Sequence, residues 1–169
     1  MQYKYIIGID PSGNFNEGKG TTGCCIFNAK TNELIEAKSI YANAYTNQFD
    51  YWQAVLYYII KASIKYKSVI AVVEDFMLYS TKATAQINSK METPKLIGVL
   101  EYFCTEREIP LTLQPAHLVK NRWNEEVLLY KGYIQRVGRQ YRTLKGKAID
   151  KHAIDAIKHA VHYATFKNK

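Results

Sequence analysis

Four polar residues, each joined to an apolar run, limit what this chain can fold into: Asp10, Glu74, His152 and Asp155. Asp10 ends Tyr5-Ile6-Ile7-Gly8-Ile9, Glu74 ends Val69-Ile70-Ala71-Val72-Val73, and His152 and Asp155 open the segment that runs to Ala164. A carboxylate at the exit of a buried strand costs free energy unless it is hydrogen-bonded or bound to a cation. The pattern therefore predicts a sheet whose strand ends gather acidic side chains around a metal.

The order of elements sharpens that expectation. Tyr3 to Ile9, Thr22 to Asn28 and Glu36 to Ala42 read as three successive strands, the first two joined by a loop with Gly13, Asn14, Asn16, Gly18 and Gly20. From Phe49, residues Trp52, Val55, Leu56, Ile59, Ile60 and Ile64 recur at helical spacing, and the helix ends near Lys67. Val69 to Val73 is a fourth strand. Leu96, Val99, Leu100 and Phe103 mark a helix with Pro94 near its first turn, and Pro110 to Leu113 is a short fifth strand. The region from His117 to Lys147 is basic and weakly periodic, and a last amphipathic helix runs from about Lys151 to Phe166. Hairpin-joined strands followed by alternating helices and strands argue for an α/β domain, a five-stranded mixed sheet flanked by helices in the order of the RNase H-like fold. No repeat, low-complexity tract or linker divides residues 1–169, so one domain is expected.

Composition narrows the partners. A formal charge of +8 favours a polyanion, and no apolar stretch reaches membrane-spanning length, so nucleic acid is expected rather than a membrane. The N-terminus lacks the pattern of a signal peptide, which leads us to expect a cytoplasmic protein. Cys24, Cys25 and Cys104 form no C-x-x-C pair and read as small core residues.

Gly8-Ile9-Asp10-Pro11-Ser12, Val73-Glu74-Asp75-Phe76 and His152-Ala153-Ile154-Asp155-Ala156 together resemble the signature of RuvC Holliday junction resolvases, closest to the form carried by bacteriophages of Gram-positive, lactococcal-type hosts. The match spans nearly the whole chain, and the lengths between motifs fit as well. The resemblance implies a homodimeric, divalent-metal-dependent endonuclease that nicks opposing strands of branched DNA, Holliday junctions above all and also forks and flaps, in the host cytoplasm. It puts the catalytic carboxylates on Asp10, Glu74 and Asp155. Many members carry a second aspartate where this chain has His152, and some use histidine there. Spaced i, i+3, His152 and Asp155 share one helix face and can address one ion.

Two cations roughly 4 Å apart can activate a water and stabilise the leaving oxygen of a phosphodiester. Asp10, on the central strand, is the candidate bridge, with Glu74 and Asp155 on separate sides; Mg2+ or Mn2+ would serve, and an imidazole shifts the preference toward Mn2+. Asp150 reads as the N-cap of the last helix rather than a ligand. Asp75 points to the opposite face of its strand and reads as structural. His159 and His162 recede from the strand ends by the helical rise and read as a solvated face, and His117 has no paired ligand nearby.

For DNA contact the candidates are Lys120, Arg122, Lys131, Arg136, Arg139, Arg142, Lys145 and Lys147, interleaved with Trp123, Tyr130, Tyr133 and Tyr141. Phe76, Met77 and Tyr79 resemble the place where the family inserts an apolar wedge at the junction centre. The helix with Leu96, Val99, Leu100 and Phe103 is the expected two-fold interface, as in the family. Other classes remain in view. An RNase H acting on RNA/DNA hybrids would need a 2'-hydroxyl reader that is not evident. A non-catalytic junction-binding module would not need the acidic set. A sugar-kinase or actin-like ATPase, suggested by Gly8-Ile9-Asp10 with Thr21-Thr22-Gly23, would need two related domains where this chain has room for one.

Overall fold

The structure, a computed structural model, describes residues 2–15, 19–77 and 90–169. Its main sheet has the order β3-β2-β1-β4-β5, with β1 at Tyr5–Asp10, β2 at Thr21–Asn28, β3 at Glu33–Tyr41, β4 at Val69–Asp75 and β5 at Leu111–Pro115. β1, β2 and β3 pair antiparallel, whereas β1/β4 and β4/β5 pair parallel through the helical crossovers α1 (Gln48–Lys65) and α2 (Glu92–Glu106). This is the expected five-stranded mixed sheet.

The sheet is covered on both faces, which is why β1 and β4 are apolar without interruption. Alternate residues of a strand serve opposite layers. Ile6, Ile70 and Val72 pack with Ile154, Ile157 and Val161 of α5 (Lys151–Phe166), while Ile7, Ile9, Ala71 and Val73 pack with Val55 and Ile59 of α1 and Leu96 and Leu100 of α2. The same parity puts Asp10 and Glu74 on the α5 face of the sheet, and Asp75 on the other.

Two glycines let α5 press onto that face. A Cβ on Gly8 would collide with the Ala156 carbonyl, and one on Gly23 with the His152 carbonyl, so helix backbone lies directly on β1 and β2. Gly23 is also the register partner of Asp10, and this close approach brings the first turn of α5 over the end of β1. Asp150 caps that turn by accepting from the Ala153 amide at 3.0 Å, and its carboxylate is further held by the hydroxyls of Ser39 and Tyr41 on β3. The expected N-cap role is the observed one.

Four expectations are corrected. The third strand begins at Glu33 rather than Glu36, because this edge strand carries polar residues that blur its start. The region from 116 to 149 is more ordered than its weak periodicity suggests. It forms α3 (Ala116–Lys120), α4 (Glu125–Tyr130) and a second antiparallel sheet, β6 (Ile134–Val137), β7 (Gln140–Thr143) and β8 (Ala148–Ile149). Gly138, at φ +60°, supplies the left-handed residue of the β6–β7 turn. Trp123 and Tyr133, expected among the DNA-facing aromatics, are buried in the α5-side core, where the Tyr133 hydroxyl donates to Asn32. Finally, Leu96 and Leu100 are fully buried against the chain's own sheet. They are spent on the monomer core and cannot face a partner.

Candidate active site

Asp10 from β1, Glu74 from β4, and His152 and Asp155 from α5 meet at the carboxyl ends of the two parallel central strands. Asp10 is 7% exposed and Asp155 3%. His152 donates from Nδ1 to Asp10 Oδ2 at 2.9 Å. In its neutral form that bond fixes the proton on Nδ1 and leaves the Nε2 lone pair available to a cation.

Two lysines and a second histidine complete the cluster. The Lys120 ammonium, at the end of α3, lies 3.0 Å from Glu74 Oε2 and 3.0 Å from Asp155 Oδ2. Lys158, one turn beyond Asp155, is 2.8 Å from Asp155 Oδ1 and 2.8 Å from Glu125 Oε1 on α4. His159, fully buried, donates from Nε2 to Glu74 Oε2 at 2.9 Å. Lys120 thus lies within the acidic cluster. His159 and His162 are buried, correcting the expected solvated face. The helical rise does carry His159 away from the strand end, but the two methylenes of Glu74 span the gap. The i, i+3 spacing of Asp155 and Lys158 was a readable signal for their ion pair; nothing local in the sequence announces Lys120.

The electrostatics are those of a crowded acidic site. Burial pushes the Asp10 carboxyl above the ordinary carboxylate range; the His152 hydrogen bond opposes this, and the neighbouring Glu74 charge adds to it. Burial acts in the same sense on Glu74 but is outweighed by His159 and Lys120, which hold its carboxyl below the usual range. The Lys120 ammonium resists burial because Glu74 and Asp155 favour its charge, and the bond to Asp10 raises the His152 imidazole.

Three carboxylates and an imidazole are a donor set suited to Mg2+ or Mn2+. Among the described residues, no three histidine, cysteine or acidic side chains form a ready-made metal-ligating group, and Lys120 spans Glu74 and Asp155. The donors fit a divalent cation on condition that the Lys120 stem, 36% exposed at its side chain, gives way.

The remaining candidates lie around this centre. Lys131, Arg136, Arg139, Lys145 and Lys147 are exposed on and beside the small sheet, and Arg122 is exposed with its guanidinium 4.1 Å from the centre of the Phe166 ring. Arg142 is tied to the Gly146 carbonyl and Gln140. Of the interleaved aromatics, Tyr130 is exposed and Tyr141 half-buried. A cleft of about 510 Å3 bordered by Tyr41, Arg139, Tyr141, Asp150 and Lys151 opens immediately before His152. Phe76 is half-buried against the α1/α2 core, Met77 is exposed, and Tyr79 lies outside the described residues. His117 is exposed.

No protein-family model and no curated protein sequence matches this chain. Among solved structures it is similar to Thermus thermophilus RuvC in complex with Holliday junction substrate, with a TM-score of 0.70 at 15% identity, over 97% of this chain and 94% of that one. It is also similar to another Thermus thermophilus RuvC structure, with a TM-score of 0.64 at 13% identity, over 96% and 94% of the two chains. The fold is RuvC-like. In this RuvC-like fold the candidate site occupies the ends of the central parallel strands beneath the last helix, and among the described residues no helix is long and apolar enough to cross a membrane.

Proposed function

We propose that this chain is a structure-selective endonuclease that nicks branched DNA, Holliday junctions first, with forks and flaps as further substrates. The observation that carries the reading is the convergence of Asp10, Glu74 and Asp155 with His152 at one end of the sheet, beside an exposed basic hairpin. Burying three acids together destabilises a fold, and a site of this kind persists where the charges are used. The similar Thermus protein holds a Holliday junction, which supports the substrate class.

Asp10, Glu74, His152 and Asp155 would hold two Mg2+ or Mn2+ ions, which when bound supply an activated water and stabilise the leaving oxygen. The chain's own residues orient that chemistry. His152 steadies Asp10, Lys158 ties Asp155 to α4, and Lys120 balances the charge of Glu74 and Asp155. Lys131, Arg136, Arg139, Lys145 and Lys147 would contact phosphates, with Arg122 at the margin, while Arg142 braces the hairpin. Met77, exposed just beyond β4, is the better wedge candidate than Phe76.

Two symmetric nicks need two sites, so the active species is a homodimer. Its α2 contribution would come from Tyr102, 69% exposed, and half-buried Phe103. We read residues 1–169 as one such nuclease domain, acting in the cytoplasm, and the motif resemblance favours a role in bacteriophage DNA recombination. Incubation with labelled junctions, forks, flaps, linear duplexes and RNA/DNA hybrids in Mg2+ and in Mn2+ tests the reading. Paired nicks in the junction and intact linear duplex are expected. Preferential cleavage of the hybrid, or binding of junctions without cleavage in either metal, would overturn it.

A further inference from the structure

Behind Glu74 runs a buried polar chain that the nuclease reading does not require. Gln114 on β5 is the register partner of Glu74 on β4, and it is 6% exposed. Its Nε2 is 3.3 Å from His159 Nδ1 and 3.4 Å from the His159 carbonyl oxygen. The carbonyl accepts only, so the Gln114 atom beside it must be the donating nitrogen, and Nδ1 of His159 accepts from it. The proton of the neutral ring then sits on Nε2, which donates to Glu74 Oε2 at 2.9 Å. The reverse amide orientation would set the Gln114 oxygen against the carbonyl and leave a neutral ring with a lone pair facing the carboxylate.

Each member of the chain is held from outside. The backbone of β5 fixes Gln114, α5 fixes His159, and His159 has no exposed surface through which water could substitute for the hydrogen bond. One lone pair of Oε2 is thereby committed, while Lys120 spans both oxygens from the open side, 3.0 Å from Oε2 and 3.1 Å from Oε1. A glutamate has three rotatable bonds and is the least rigid of the acids here, so it gains most from such a brace. Hydrogen bonds behind a ligating carboxylate typically change metal affinity 10- to 100-fold, roughly, when removed.

We infer that His159, oriented by Gln114, is a positioning residue that fixes the Glu74 carboxylate to receive a divalent cation. This rests on the nuclease reading. The test measures Mn2+ affinity of the DNA-free protein by calorimetry, alongside junction cleavage against Mn2+ concentration and thermal melting. His159→Leu keeps the apolar packing and removes the donor; it should weaken Mn2+ binding by about 10-fold or more. His159→Gln places an amide N–H near the former Nε2 and should stay within about threefold of the parent, a rescue that a packing role would not give. Gln114→Leu leaves the His159–Glu74 pair in place but removes the amide that holds the ring proton on Nε2. It should weaken Mn2+ severalfold, and it is the variant to read if His159→Leu does not fold.

A parent that binds Mn2+ and cuts junctions, with folded His159→Leu or Gln114→Leu binding equally well, overturns the inference alone. His159→Gln binding as poorly as His159→Leu overturns it too, since the donor would then not matter. A parent that neither binds Mn2+ nor cuts junctions overturns the nuclease reading, and this inference falls with it.

Discussion

The Lys120 ammonium stands 3.0 Å from Asp155 Oδ2, inside the acidic cluster where a divalent cation would be drawn. The same ammonium touches Glu74, so one protein cation serves two of the three carboxylates. A divalent ion entering between Glu74 and Asp155 has to displace or repel it.

Replacing Lys120 with Met keeps the stem and removes the charge. Mn2+ affinity of the DNA-free protein should rise, on the order of tenfold, because a unit charge about 4 Å away is worth about 1 kcal/mol in water and several at a surface site. Calorimetric titration reads this directly. Affinity equal to the parent would mean that Lys120 leaves the cluster at no cost and does not compete with the metal.

Chemistry and DNA affinity should separate at the carboxylates. Asp10→Asn, Glu74→Gln and Asp155→Asn should each abolish cleavage while junction binding, read by gel shift, stays within about threefold, since phosphate contacts position the DNA independently of the reacting centre. Asp10→Asn has a second signature. Burial already disfavours the Asp10 charge at neutral pH, so the metal-free variant should melt a few degrees above the parent. A folded single variant that cuts at the parent rate removes that residue from the site.

The salt dependence of binding should identify the DNA face. Each phosphate neutralised contributes a slope of about −0.9 in log K against log salt for duplex DNA. Neutralising exposed Arg136 and Arg139 together should reduce the slope by nearly twice that amount. Arg142→Gln should instead lower the melting temperature, because its guanidinium holds the Gly146 carbonyl and Gln140. An unchanged slope for the first pair would move the DNA path off the hairpin.

His162 should make stability fall in mild acid. It is 8% exposed with Nδ1 unpartnered, and burial lowers its imidazole, assisted by His159, Arg122 and Lys167. The folded state therefore binds the proton less readily than the unfolded chain, whose value is about 6.5. Stability is whole above that pH and is lost as pH falls through it, with a limiting slope of about 1.4 kcal/mol per pH unit. His162→Leu should flatten this part of the profile in denaturant melts between pH 7.5 and 5. Parallel profiles for parent and variant would show that the ring titrates freely in the fold.

What the sequence disclosed divides along physical lines. Strands β1 and β4 and helix α5 are legible because long apolar runs or a clear helical stripe must be buried, and their acids stand out against that background. Strand parity also foretold that Asp75 turns away from Glu74. The small sheet leaves no periodic signal because its strands are only two to four residues long and carry charged faces. Trp123 and Tyr133 misled because an aromatic among basic residues has the same composition whether it stacks on bases or fills a core. The rise of the helix alone carries His159 away from the strand ends, and it is the reach of the Glu74 side chain that brings the two together. Lys120 required the fold itself, since only the β5–α3 corner carries it back to Glu74.

His152 is where the site departs from an all-carboxylate set, and metal choice should register it. A neutral imidazole offers one lone pair and no negative charge, so Mn2+ should support faster junction cleavage than Mg2+ at equal concentration. The Nδ1 bond to Asp10 raises the imidazole above its ordinary value, which keeps the proton on the ring to higher pH and opposes metal binding there. Activity in Mn2+ should accordingly still be climbing above pH 6.5, where an ordinary histidine is already half neutral. His152→Asp should supply an oxygen ligand, narrow the Mn2+ advantage and move the rise to lower pH, whereas His152→Ala should slow cleavage in both metals. Cleavage by His152→Ala at the parent rate in both metals, across the same pH range, would leave the cation to Asp10, Glu74 and Asp155 alone.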